Sequence, residues 1–276
     1  MVIDIHTHVF PDAMAEKTIA LLADKADLKA YTDGKVSGLL DSMDKGGIDC
    51  SVIMPVVTAP RQFDSINRFA ADINEKYADK KQNGVPRLIS FGGIHPDSVD
   101  YKGQLDTIKS MGFKGIKLHP DYQGVFFNDI RYKRIVSYAT ELDMLILVHA
   151  GLDVGMPDPI HCTPRMSDEV IRETESDKLI LAHLGGFSLW DEVEELLVGR
   201  DIYMDMAVIP EYISDEQFVR IVKKHGSDKI LFGSDSPWSG QKESVEWIKR
   251  QALTDEDKEH IFWKNAARLL KQSLSK

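Results

Sequence analysis

The side chains with the most chemical reach in this sequence are two histidines, His6 and His8, which close the apolar opening run Met-Val-Ile-Asp-Ile-His-Thr-His. Read as a β-strand, the run points successive side chains to opposite faces, so His6 and His8 share a face with Val2 and Asp4 while Ile3, Ile5 and Thr7 take the other. Two neutral imidazoles on a rigid strand can hold one zinc-type ion with little side-chain entropy left to lose. For an isolated His-x-His the better reading is a hydrophobic strand that happens to end in polar residues. The choice turns on whether ligand-type side chains also end other strands.

They do. Lys117 and His119 close GIKLH, His149 closes LILVH, His183 closes LILAH and Asp235 closes ILFGSD. Five of the nine histidines therefore fall at the C-terminal ends of apolar runs, which chance does not arrange. Singly, His149 and His183 read as satisfied core histidines and Asp235 as a turn former. Together they offer nitrogen and carboxylate ligands on one convergent surface, provided that the runs are parallel strands.

The elements that would position them follow a simple alternation. Apolar runs occur at residues 2–8, at Cys50–Val56, and around Phe91, Lys117, Leu147, Leu181, Met204 and Leu231, each followed by a helical pattern. LILVHAG and LILAHLGG lack polar alternation, as parallel strands covered by helices should. Eight βα units in 276 residues predict a TIM barrel. The doubly wound alternative lacks a Gly-x-Gly-x-x-Gly after the first strand. Helices are predicted from Pro11-Asp12 to about Ala30, from Ser37 to Gly46-Gly47, and over 62–81, 105–111, 128–142, 241–250 and 255–270. The stretch from Leu152 to Thr163, with Gly155, Pro157 and Pro159 and with Pro164 just beyond, reads as a long loop over the active-site face. No low-complexity linker interrupts the pattern, so residues 1–276 are expected to form one domain.

Composition sets the outer bounds. With 43% hydrophobic residues the chain can bury a substantial core, and a net charge of −10 disfavours a nucleic-acid or anionic-membrane surface. Cys50 and Cys162 are too few for a disulfide framework and lack zinc-motif spacing, which suits a reducing compartment. No apolar run reaches the ~20 residues of a membrane span, and no basic leader precedes the first strand. A cytoplasmic protein is expected, with a homodimer as the assembly that base rates favour.

IDIHTH (3–8), GIKLHP (115–120), LVHAG (147–151), LAHLGG (181–186), LFGSDSPW (231–238) and WKNAARLL (263–270) resemble, end to end, the amidohydrolase superfamily. Within it they resemble the amidohydrolase-2 group that also holds the aminocarboxymuconate-semialdehyde decarboxylase-like enzymes. The resemblance implies a distorted TIM barrel whose single divalent ion, zinc by first expectation, is held by His6, His8, His149 and Asp235, with His183 beside the activated water. Three imidazoles and a carboxylate leave such an ion room for that water, whose pKa it can lower toward ~7. Asp235 and His183 would then move protons.

The first expectation for function is hydrolysis of a small amide, cyclic amide, lactone or ester. The alternative is non-oxidative decarboxylation of a small unsaturated or aromatic acid. A non-catalytic binding barrel is disfavoured, because His183 accompanies a complete ligand set. Lys117 sits where some superfamily members carry a carboxylated lysine that bridges two metals. It is read here as a cation facing an anionic small-molecule substrate, together with His119, Arg61, His161 and Arg165; His95 after the third strand is a weaker addition.

Overall fold

Each of the eight apolar runs forms a strand in the computed structural model, which describes residues 1–271. The strands are Ile3–Thr7, Cys50–Ile53, Leu88–Ser90 continued by Gly92–Gly93, Gly115–Leu118, Leu145–Val148, Leu179–Leu181, Tyr203–Asp205 and Ile230–Leu231. The expected helices are present with shifted ends. Asp12–Ala26 stops early because Asp27 turns left-handed at φ 51°. Tyr101–Ser110 starts early because the Asp100 carboxylate accepts from the Gly103 amide at 3.1 Å. Phe63–Tyr77 ends short of Lys81, which instead joins a small antiparallel pair, Lys81–Gln82 with Val85–Pro86. The helix predicted over 255–270 comprises Asp255–Glu259, a π turn at His260–Lys264 and Asn265–Leu269. No helix among the described residues is long and apolar enough to cross a membrane.

The chain folds as two compact units. The first takes residues 1–53, 73–89 and 205 onward. Its Ile3–Thr7 strand pairs in parallel with Cys50–Ile53, with a register shift between Asp4 and Thr7. On the other side of Ile3–Thr7 runs the segment that follows the Ile230–Leu231 strand. The Ile5 amide donates to the Phe232 carbonyl at 2.9 Å, the Asp235 amide to the His6 carbonyl at 2.8 Å and the His8 amide to the Ser236 carbonyl at 2.6 Å. Ile3, Ile5, Leu231 and Phe232 are fully buried.

The second unit takes residues 54–72 and 90–204. Its strands lie in the order Tyr203–Asp205, Leu179–Leu181, Leu145–Val148, Gly115–Leu118, Gly92–Gly93, all parallel where their register is defined. Lys117 aligns with Leu147 and Val148 with Leu181, so the residues just beyond these strands emerge side by side. The Pro-rich loop ends where Thr163 caps the helix Pro164–Thr174.

Candidate metal centre

In the first unit the hydrogen bonds between the first strand and the segment after Ile230–Leu231 bring His6, His8 and Asp235 together. Nε2 of His6 lies 3.2 Å from Nε2 of His8, and Asp235 Oδ1 lies 2.9 Å from the second ring and 3.4 Å from the first. Asp235 reaches this point with φ at 64°, a left-handed conformation that aspartate tolerates better than most residues. A triangle with these sides has a circumradius of about 1.8 Å, below the ~2.0–2.1 Å of a metal–nitrogen or metal–carboxylate bond, so all three atoms can reach one ion. The donor set, two imidazoles and a carboxylate, suits a divalent first-row metal.

Two buried carboxylates that sequence reasoning missed support this group. Asp205 Oδ2 lies 2.9 Å from Nδ1 of His6, the ring nitrogen turned away from His8 and Asp235. Asp4 accepts from the Ser234 amide at 3.0 Å, Ser234 Oγ at 2.5 Å, Gln241 Nε2 at 2.8 Å and the His6 amide at 3.2 Å. Burial pushes the Asp4 carboxyl up to about 6 although these four donors pull it down. Asp205 ends the seventh strand, so the strand-end rule that picked out Asp235 would have found it. Asp4 carries no such signal.

In the second unit the register makes His119 and His149 neighbours, and their rings stack with centroids 4.2 Å apart and planes 6° apart. His183 Nε2 lies 3.0 Å from His149 Nδ1, and the His183 carbonyl accepts from Trp190 Nε1 at 3.1 Å. His119 Nε2 is 3.5 Å from Asp153 Oδ2 and His149 Nε2 is 3.7 Å from Asp121 Oδ2. Ligand-type atoms of His119, His149 and Asp153 all lie within 4.8 Å of one another, yet this group fits a metal poorly. An imidazole lone pair lies in its ring plane, so two stacked, nearly parallel rings direct theirs within separate planes that do not meet near the rings.

Around this cluster Lys117 is buried to 1% exposure, and Asp121 holds the long loop by accepting from the His161 amide at 3.0 Å and pairing with His161 Nδ1 at 3.1 Å. Burial raises the Asp121 carboxyl above its ordinary range, the two His161 bonds opposing it. His95 is buried, which lowers its ring's affinity for a proton, and its Nδ1 accepts from the Asp97 amide at 3.1 Å. Arg61 and Arg165 stand apart from the ring cluster. Arg61 is exposed on the 3-10 turn Pro60–Gln62, and Arg165, 77% exposed, lies 3.8 Å from Glu192. Asp121 and Asp153 were also missed, since an aspartate in a turn or a Pro-rich loop carries no periodic signal.

A family model described as amidohydrolase (Amidohydro_2) matches residues 3–272. The chain belongs to the amidohydrolase-2 family. Among curated proteins, the chain is 22% identical over 134 residues to the gamma-resorcylate decarboxylase of Polaromonas sp. (strain JS666 / ATCC BAA-500), covering 42% of this chain and 41% of that protein. Its structure is similar to that of the uncharacterized TIM-barrel protein Bb4693 from Bordetella bronchiseptica, with a TM-score of 0.78 and 17% identity over 98% of each chain. It is also similar to a dihydroxybenzoic acid decarboxylase from Polaromonas sp. JS666 solved with bound manganese and the inhibitor 2-nitroresorcinol. There the TM-score is 0.69 and the identity 15%, over 98% of this chain and 96% of that one. These likenesses show the fold of the chain to be the TIM barrel that its eight βα units predict.

Proposed function

We propose that this protein is a metal-dependent carboxy-lyase that removes carbon dioxide from a small aromatic or unsaturated acid. The observation that carries the reading is the family membership taken with the decarboxylase names of the curated relative and of a similar solved structure. Hydrolysis, the first expectation from the sequence, draws no support from those names and takes second place. It remains the competing reading because the same donor set can activate water.

His6, His8 and Asp235 would hold the ion, with His149 as the fourth ligand that the family resemblance implies. A divalent ion supplies positive charge that polarises a substrate oxygen. Manganese is favoured over zinc, on the precedent of the manganese-bound decarboxylase. Lys117, a buried cation, would face the anionic substrate, with His119, Arg61, His161 and Arg165 as further contacts. Because His119 and His161 lie in or beside the ring cluster while both arginines are solvent-exposed, the histidines carry more of that expectation.

His183 would deliver a proton to the carbon that loses its carboxylate, so that an acid becomes a hydrocarbon position plus carbon dioxide. Asp235 would exchange protons with the substrate's ionisable group. Residues 1–276 are read as one catalytic domain of a cytoplasmic homodimer. Free, buried Cys50 and Cys162 suit a reducing compartment. A net charge of −10 directs attention to small molecules rather than nucleic acid.

The test is a panel of hydroxybenzoic and unsaturated acids offered to manganese- and zinc-loaded protein, with released carbon dioxide measured beside an ester and lactone panel. Carbon dioxide release from one acid supports the reading. Ester or lactone turnover without carbon dioxide from any acid overturns it in favour of hydrolysis.

A further inference from the structure

Asp205 is completely buried at the end of the Tyr203–Asp205 strand, and both of its oxygens are engaged. Oδ1 accepts from the Ala207 amide at 3.0 Å and Oδ2 lies 2.9 Å from Nδ1 of His6. An ionised carboxylate only accepts hydrogen bonds, so with Asp205 ionised this contact places the proton of a neutral His6 ring on Nδ1. Nε2 is then left with its lone pair, and Nε2 is the atom 3.2 Å from His8 Nε2 and 3.4 Å from Asp235 Oδ1. The packing is shaped for this contact. Gly233 lies between the two residues, and a Cβ there would stand 3.1 Å from the His6 Cβ and 3.4 Å from the Asp205 Cβ. A side chain at 233 would press on both members of the pair.

We infer that Asp205 is the positioning residue of the metal centre, selecting the His6 tautomer and ring orientation that turn the Nε2 lone pair toward His8 and Asp235. The inference rests on the metal-centre reading and adds a role to a residue outside the ligand set. Carboxylates that hold the far nitrogen of a ligating histidine are generally worth 10–100-fold in metal affinity. In Asp205→Asn one acceptor becomes a donor. If the amide nitrogen faces His6, the ring must accept at Nδ1 and move its proton to Nε2, where the metal should bind. If it faces Ala207, a buried backbone amide loses its partner.

Two measurements decide the matter. The first is titration of metal-stripped wild type, Asp205→Asn and His6→Ala with manganese and with zinc by calorimetry. The second is long-range proton–nitrogen NMR of the histidine rings in metal-free wild type, with His6→Ala used to assign the His6 signals. Support for the inference is tight binding by wild type, affinity about 10–100-fold weaker in Asp205→Asn, and a wild-type His6 signal protonated at Nδ1. Equal affinity in wild type and Asp205→Asn, with His6→Ala impaired, overturns the role of Asp205 and leaves the metal centre standing. No binding by wild type overturns the metal centre itself. The NMR measurement does not need Asp205→Asn to fold, and a wild-type His6 protonated only at Nε2 overturns the inference by itself.

Discussion

Nε2 of His183 lies 3.0 Å from Nδ1 of His149, the two rings meeting edge to face with centroids 4.8 Å apart. The pair spans the ends of neighbouring parallel strands, where Val148 and Leu181 are in register. His183 takes up its place with φ at 57°, and Trp190 anchors its carbonyl. One ring is the proposed fourth ligand and the other the proposed proton donor, so a change at 183 separates metal binding from proton transfer.

His183→Asn should keep fold and metal, because asparagine is of similar size and can still bond to Nδ1 of His149. Turnover should fall by roughly 10²-fold or more, the scale of losing a positioned acid–base group. Activity and metal content are measured on the same sample. Loss of the metal would make His183 part of the ligand set.

The double variant His6→Ala, His8→Ala removes two of the three converging donor atoms of the first unit. Purified from metal-supplemented culture, it should carry less than about a tenth of the wild-type metal by elemental analysis, since an ion left with two of its four proposed ligands exchanges into buffer. Wild-type metal content in this variant would place the ion elsewhere. A wild-type stoichiometry near two per chain would bring back the two-metal reading of Lys117.

Gly151 follows the His149 strand end with φ at +89°, and a Cβ there would collide with the Phe187 amide nitrogen. The close approach is required by a local ladder in which the Phe187 amide donates to the Ala150 carbonyl at 2.9 Å and the Leu152 amide to the Phe187 carbonyl at 3.0 Å. Gly151→Ala should therefore cost about 3 kcal/mol or more in urea unfolding, from backbone strain and overpacking together. A cost below ~1 kcal/mol would show that the two segments separate easily.

Burial pushes the Cys162 thiol up to about 12, with Ser167 pulling weakly the other way. The thiolate is the reactive form, so neither Cys162 nor Cys50, whose thiol burial also raises, should react with Ellman's reagent at pH 8 until urea unfolds the chain. The sign for stability follows from linkage. A folded value above the ordinary 9.0 means that the thiol's contribution is complete below pH 9 and declines as pH rises toward 12. The urea midpoint of wild type, referred to that of Cys162→Ala, should thus fall between pH 9 and 11. A midpoint difference that stays flat over that range would refute the shift.

The alternation of apolar runs and helical patterns by itself determined the eight βα units, because burial on both faces leaves a strand such as LILVH no room for polar residues. It also determined that His6, His8, His119, His149, His183 and Asp235 stand at strand ends, since strand-end position is a local property. The sequence could not determine which strand ends meet. That His6 and His8 share a point with Asp235, more than two hundred residues away in the chain, follows from hydrogen bonds between the first strand and the segment after the last one, a non-local pairing without local signature. Helix ends shifted because single caps such as Asp27 and Asp100 decide them. The supporting carboxylates Asp4, Asp121 and Asp153 escape the sequence for a related reason. An aspartate in a sequence looks the same whether it is solvated or buried against a histidine, and only the tertiary packing around it decides which.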